Sequence, residues 1–242
     1  MIPYAIALAI VILLAVIIIK FIKKILLIIV FLFLLFAIFL GYNGYLVYKD
    51  ILDIQQHLET SQNAFLLSKD GKFIAGFSAV FSDAEKLILF SENDIKEANS
   101  DYKKLAENNY KVFIFSNKIL ADLPDTISFS DFSFEKQQFI DLFESTDPVS
   151  DAIAYLVSAK QIPDMEEAKN RIRNELTKDA HDKTAFKGLL FALAVQHIFK
   201  DKSYIFEAIK EKKLTVYPET PAFKAIKFVP NALLNKFVEK FG

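Results

Sequence analysis

Histidine is the side chain that exchanges protons near neutral pH, and this chain carries three: His57, His181 and His197. No two are spaced as metal ligands, and neither an HExxH nor an HxH motif is present to build a zinc site. His181 lies between Asp179 and Asp182, and a carboxylate can orient an imidazole for base catalysis. A solvated cluster between two helices accounts for the same residues. His197 falls near the end of an apolar stretch and reads as a partly buried structural histidine. Nucleophiles are equally scarce. Gly76-Phe77-Ser78-Ala79-Val80 begins like a nucleophile elbow, but it lacks the closing glycine and sits inside a strand pattern where an elbow needs strand, sharp turn and helix. Ser100 and Lys103 match S-x-x-K in form only, on the polar side of an amphipathic helix and without K-T-G or S-D-N.

The absence of cysteine removes thiol nucleophiles, disulfide frameworks and CxxC motifs. Six glycines, at 41, 44, 71, 76, 188 and 242, form no phosphate cradle and no dinucleotide fingerprint. Asp164, Glu166 and Glu167 crowd a helix start, where acids complement the macrodipole without any substrate. Carboxylate pairs for glycoside chemistry meet only in three dimensions and leave no linear trace. The sequence therefore nominates no catalytic, cofactor-binding or metal-binding residue, and it leans away from an enzyme.

The elements that would position any site divide the chain unevenly. Of the 242 residues, 53% are apolar and the formal net charge is −1, but residues 1–48 contain Lys20, Lys23 and Lys24 and no acid. The remainder has four more acids than bases, which argues against nucleic-acid binding. From Thr184 onward lysines outnumber acids ten to five. That basic C-terminal end suits a protein partner or an anionic surface, although scattered lysines that solubilise packed helices give the same count.

Residues 2–19 and 25–40 are uncharged apolar runs separated by Lys20-Phe21-Ile22-Lys23-Lys24. Each makes roughly 24 to 27 Å of helix, enough to cross a ~30 Å hydrocarbon core once interfacial residues join. The second run extends to residue 48 through Tyr42, Tyr45 and Tyr48, placed as an aromatic belt. One helix over 2–40 would bury three lysines at a cost of about 8 to 10 kcal/mol, so a transmembrane helical hairpin with segments 2–19 and 25–48 is expected. Against it, residues 20–24 hold no Gly, Pro, Asn or Asp to make a turn. The first run has no basic leader and no A-x-A site follows the second, so retention as an anchor is expected over cleavage. Three lysines in the connection place it in the cytoplasm and the following domain on the extracytoplasmic side.

Residues 49–63 read as an amphipathic stalk helix with Val47, Ile51, Ile54 and Leu58 on one face. Residues 64–242 read as one globular α+β domain, a small antiparallel sheet with helices followed by a mostly helical half. Two β-prone runs flank Asp70-Gly71, a strong hairpin signal. Gly76 suggests a bulge or close backbone approach. Strands are expected over 86–90, 110–115, 126–129 (at an edge) and 214–217, and helices over 94–108, 134–145, 148–160, 164–178, 185–199 and 203–212. The stretch 185–199 is apolar almost all round, which marks a central helix. Phe223, Ile226, Pro230, Leu234, Phe237 and Phe241 follow a 3/4 spacing that suits docking on the domain better than lying flat on lipid.

The functional expectation is a membrane-anchored, extracytoplasmic binding or assembly module of unknown ligand, with the lipid bilayer as partner through residues 2–48 and no cofactor. A membrane-bound hydrolase or transferase, its site assembled from sequence-distant residues, is the competing class. A cytoplasmic-facing adaptor needs only inverted topology.

Overall fold

The computed structural model describes residues 2–129, 132–159, 164, 166, 170, 182–198 and 202–229. The helix expected over 164–178 and the apolar positions 230–241 lie largely outside the described residues. The chain divides into two compact units, Met1–Lys49 and Asp50–Gly242.

From Ile2 onward the first unit is helical, as part of helix α1, Ile2–His57. The turn expected at Lys20 to Lys24 is absent, because those residues continue the helix. The physical reason is local: phenylalanine, isoleucine and lysine without a Gly, Pro, Asn or Asp offer the backbone no alternative to its next helical hydrogen bond. Within α1, Ile28–Ile54 is long and apolar enough to cross a membrane, with a mean hydropathy of 2.2. The large side chains from Ile28 to Phe36, and Ile38 and Phe39, are exposed.

The second unit begins with the last turns of α1. Ile54 and Leu58, two of the four positions on the face predicted for the stalk, are half-buried against the main core. After His57 the chain turns, and the Asn63 amide donates to Leu58 O (2.9 Å) and Ser61 O (2.8 Å). Strands β1 (Asn63–Lys69) and β2 (Lys72–Val80) form an antiparallel hairpin around Asp70 (φ 51°) and Gly71 (φ 77°). Both angles are left-handed, as a type I′ hairpin turn requires, which is why Asp-Gly carries it. Strand β3 (Asp83–Leu89) pairs antiparallel with β2.

Helix α2 (Glu92–Asp101) opens on a capping box in which Ser91 Oγ accepts from Asp94 N–H and the Asp94 carboxylate accepts from Ser91 N–H. A 3₁₀ turn, Tyr102–Glu107, then leads into β4 (Val112–Ser116). Strand β4 runs parallel to β1, so the five-stranded sheet, ordered β3-β2-β1-β4-β7, is mixed and not antiparallel as expected. A parallel neighbour needs a crossover, and α2 with its 3₁₀ turn supplies it. Strands β5 (Thr126–Phe129) and β6 (Phe132–Glu135) form a separate two-stranded sheet. Residues 126–129 are therefore not an edge of the main sheet, and Phe134, expected in a helix, lies in β6.

Helices α3 (Lys136–Glu144), α4 (Pro148–Ser158), α5 (Lys183–Ile198) and α6 (Lys202–Lys210) follow, then strand β7 (Leu214–Tyr217) and the short helix α7 (Pro221–Ile226). Strand β1 is buried on both faces. On one face Phe65 stacks on Phe77 (4.6 Å between ring centroids) and Phe113 (5.1 Å), beneath α5. On the other, Ala64, Leu66 and Val112 meet Ile95 and Ala98 of α2. Helix α5 is the central helix its composition predicts: Phe186, Leu189 and Leu193 are buried. Phe223 and Ile226 of α7 are buried in the main core, so this part of the C-terminal segment docks on its own domain.

Candidate functional site

Among the described residues, a cluster of ionisable groups lies where the end of α1 meets the residues leading into β4 and the start of α7. Asp53 and His57 sit one turn apart on α1, with His57 Nδ1 2.9 Å from Asp53 O and 3.2 Å from Asp53 Oδ1. The Tyr110 hydroxyl donates to Asp53 Oδ2 at 2.6 Å, and the Tyr110 and His57 rings are 5.5 Å apart. One turn earlier, Asp50 Oδ2 accepts from Ala222 N–H at 2.6 Å, fastening α7 to α1. Burial, then the hydrogen bond to Asp53 and the charges of Asp53 and Asp50, push the Tyr110 phenol above its ordinary range.

Between these groups lies Lys111, only 3% exposed. Among the described residues its ammonium faces aromatic rings without an ion-pair partner: Nζ is 4.6 Å from the Tyr110 ring centroid and 5.9 Å from that of Phe223. Burial lowers its pKa, and the charges of Asp50 and Asp53, which act the other way, do not restore it. Lys111 immediately precedes β4; in extended backbone the side chains at 111, 113 and 115 share one face, and Phe113 and Phe115 are core residues. A lysine in phase with two core phenylalanines is thus the one linear sign of this cluster, and a search for known catalytic motifs passes over it.

The sign of the Lys111 effect follows from linkage. A buried amine whose folded pKa lies below 10.5 destabilises the fold while it is charged in both states, and that cost is relieved as pH rises through the folded pKa towards 10.5. Lys111→Met, close in length and apolar, is expected to raise Tm at pH 7. Its advantage over the wild type should shrink as pH rises through the lowered folded pKa towards 10.5. Thermal melts of the full chain in detergent, followed by tyrosine near-ultraviolet circular dichroism, test both statements. A lower Tm for Lys111→Met would mean that the cation–π contacts outweigh desolvation.

The residues singled out by sequence are mostly structural. Ser78 is buried in β2, its hydroxyl 2.6 Å from Asn109 Oδ1 and 3.1 Å from Asn63 O, with Gln62 Nε2 donating to it at 2.8 Å. These are amide partners and none is a base, so the serine joins β2 to the neighbouring loops. Asp182 begins α5: its carboxylate accepts from Thr184 N–H (2.8 Å) and from Glu92 N–H of α2 (3.0 Å). His181, Asp179 and Glu167 lie outside the described residues. His197 is half-buried on α5, and Ser100 and Lys103 are exposed. Among the described residues no group of three or more His, Asp or Glu is placed to hold a metal ion.

A second cluster lies at the other end of the β4–β7 pair. The Asp122 carboxylate accepts from the Tyr204 hydroxyl and from Lys213 Nζ (2.6 Å), which also reaches Glu211 (2.8 Å). Burial opposes the charge of Asp122, yet the hydrogen bonds from Lys213 and Tyr204 hold its carboxyl below the ordinary range. Every group here is satisfied within the protein.

The fold and these clusters define an α+β domain whose first helix continues out of an apolar helical segment. Comparison with family models, curated proteins and solved structures finds no match. The functional reading accordingly stands on residues and geometry.

Proposed function

We propose that the protein is a membrane-anchored, non-catalytic module that presents the domain of residues 50–242 on the extracytoplasmic face for binding or assembly. The observation that carries this reading is the exposed apolar surface of α1 from Ile28 to Phe39, on a helix whose later turns belong to the core of the domain. Water disfavours such a surface by about 25 cal/mol per Å², and a bilayer removes the penalty. Lys20, Lys23 and Lys24 mark the cytoplasmic end of the span by the positive-inside rule. The apolar length from residue 2 to 40 would be about 58 Å as one helix against a ~30 Å hydrocarbon core. The helix runs unbroken through Lys20 to Lys24, so on this reading only part of that length lies in the hydrocarbon, with Ile28 to Phe39 inside it. The clasp formed by Asp50, Asp53, Tyr110, Lys111 and Ala222 ties the base of the domain to the end of α1.

Because the chain has no cysteine, single replacements can be labelled with an impermeant maleimide on intact cells without background. Glu97→Cys, exposed on α2, is expected to label from outside, and Lys23→Cys and Ile2→Cys only after lysis. Labelling of position 23 but not 97 would reverse the topology. Labelling of position 2 from outside would replace the single span with a hairpin.

A further inference from the structure

Helix α7 begins without a cap of its own. Thr220 stands at the N-cap position, where a threonine hydroxyl ordinarily accepts from the backbone N–H two or three residues on, yet it makes no such bond. Ala222 N–H, a donor in that position, is bonded instead to Asp50 Oδ2 of α1 at 2.6 Å. Thr220 Oγ1 is left buried and, among the described residues, without a hydrogen-bond partner. A second group at the seat of the helix is in the same condition. Lys111 is 3% exposed, and its ammonium faces the Phe223 and Tyr110 rings with no acceptor among the described residues. Folded proteins leave few buried polar groups unpaired, and here two of them meet one helix of six residues.

We propose that residues 219–229 form a releasable strap: α7 undocks as a unit while the five-stranded sheet and α5 stay folded, and Ala222 N–H passes from Asp50 Oδ2 to Thr220 Oγ1. The polar groups at the seat all gain from that movement. Ala222 N–H keeps an acceptor in both positions, Thr220 Oγ1 acquires a donor, and Asp50 and Lys111 return to water. Burial already holds the Lys111 amine below its ordinary pKa, which is the sign of an ammonium short of solvation. Holding the strap down are the buried side chains of Ala222, Phe223 and Ile226, with Lys210 Nζ donating to Val229 O at 2.6 Å at its far end. Lys224 and Lys227 are exposed, and Lys227 pairs with Glu219 inside the segment, so these charges travel with it. A contiguous segment with so little buried apolar surface belongs to the part of a fold that opens first. Every group involved lies in the unit Asp50–Gly242, so release of the strap needs no membrane contact. Release uncovers Lys111 and the apolar seat of Phe223, which gives the domain a closed and an open form.

The test uses the full chain in detergent. Because the chain is free of cysteine, Ala222→Cys on the strap and Ala152→Cys on α4, both buried in the wild type, report opening through their rates of reaction with a thiol reagent. Ala222→Cys is expected to react at least about tenfold faster than Ala152→Cys. Adding Thr220→Val removes both the unpaired oxygen and the alternative acceptor, and should slow the reaction at 222 about threefold or more. Lys111→Met should slow it by a similar factor, whereas Asp50→Ala should quicken it, since the docked helix loses its acceptor. Amide hydrogen exchange of the unsubstituted chain gives a second reading that no introduced thiol can disturb, with residues 219–229 exchanging well ahead of 148–158. Exchange at 219–229 no faster than at 148–158, or Ala222→Cys no faster than Ala152→Cys, would mean that α7 leaves only when the domain unfolds, and the strap would be wrong. Fast reaction at 222 that neither Thr220→Val nor Lys111→Met slows would overturn it as well, because the unpaired groups would then not set the opening.

Discussion

Phe191→Ala is expected to lower the stability of the domain by about 3 to 5 kcal/mol. Phe191 is fully buried on α5 and meets two strands at once, its ring set edge-on to Phe77 and to Phe115 at 5.5 Å between centroids in both cases. Those two rings border Phe65, which stacks on Phe77 and Phe113, so the cavity left by truncation would open against a layer of flat, rigid side chains with little room to collapse. Leu193→Ala, at a position 8% exposed, removes less volume and is expected nearer the lower end of the ~2 to 5 kcal/mol range for large-to-small core changes. Urea denaturation of the full chain in detergent measures both. An unchanged midpoint for Phe191→Ala would mean that α5 does not cover the sheet.

Gly188→Ala should destabilise the domain by about 1 to 3 kcal/mol although it adds a single carbon. A Cβ at position 188 would stand 2.6 Å from Gly76 O, a backbone atom with no rotamer to escape into. Adding it requires α5 and β2 to move apart, loosening the aromatic layer between helix and sheet. Gly188→Val should be worse, since two further methyl groups crowd the same contact. Gly41→Ala, with nothing within 4 Å of the added carbon, is the matched control and should leave the denaturation midpoint unchanged. If Gly188→Ala behaves like Gly41→Ala, the close approach of α5 to β2 is not present in solution.

These glycines also show how far linear reading reaches. Gly76 within a strand pattern points to a bulge or a close approach, and it is a close approach; that Gly188 is the partner follows only from the way α5 crosses β2. The Asp70-Gly71 turn, the central helix α5, strand β7 and the docked stalk positions Ile54 and Leu58 were all legible in the sequence, because each is written in local chemistry: φ-tolerant residues, apolar periodicity and runs that are apolar all round. The parallel pairing of β1 with β4 was not. Parallel and antiparallel neighbours bury the same side chains, and the choice is made by the crossover through α2. Residues 126–129 show a strand but not its partner, for the same reason.

The clasp sits between these cases. Lys111 falls in phase with Phe113 and Phe115, so the sequence places a cation on a core face, yet Tyr110, Asp53, Asp50 and Ala222 are drawn together from three elements far apart in the chain. At the N-terminus the sequence determined an apolar helix and a basic interruption at Lys20 to Lys24, while the unbroken helix through those lysines reflects a backbone that contains no turn-forming residue. Composition and periodicity thus determined which segments are helix or strand and which faces turn inward, since each depends on the residues themselves and their near neighbours. Only tertiary structure decided which strand lies beside which and which charged groups share a site, because those contacts are set by how separate faces find their covers in space.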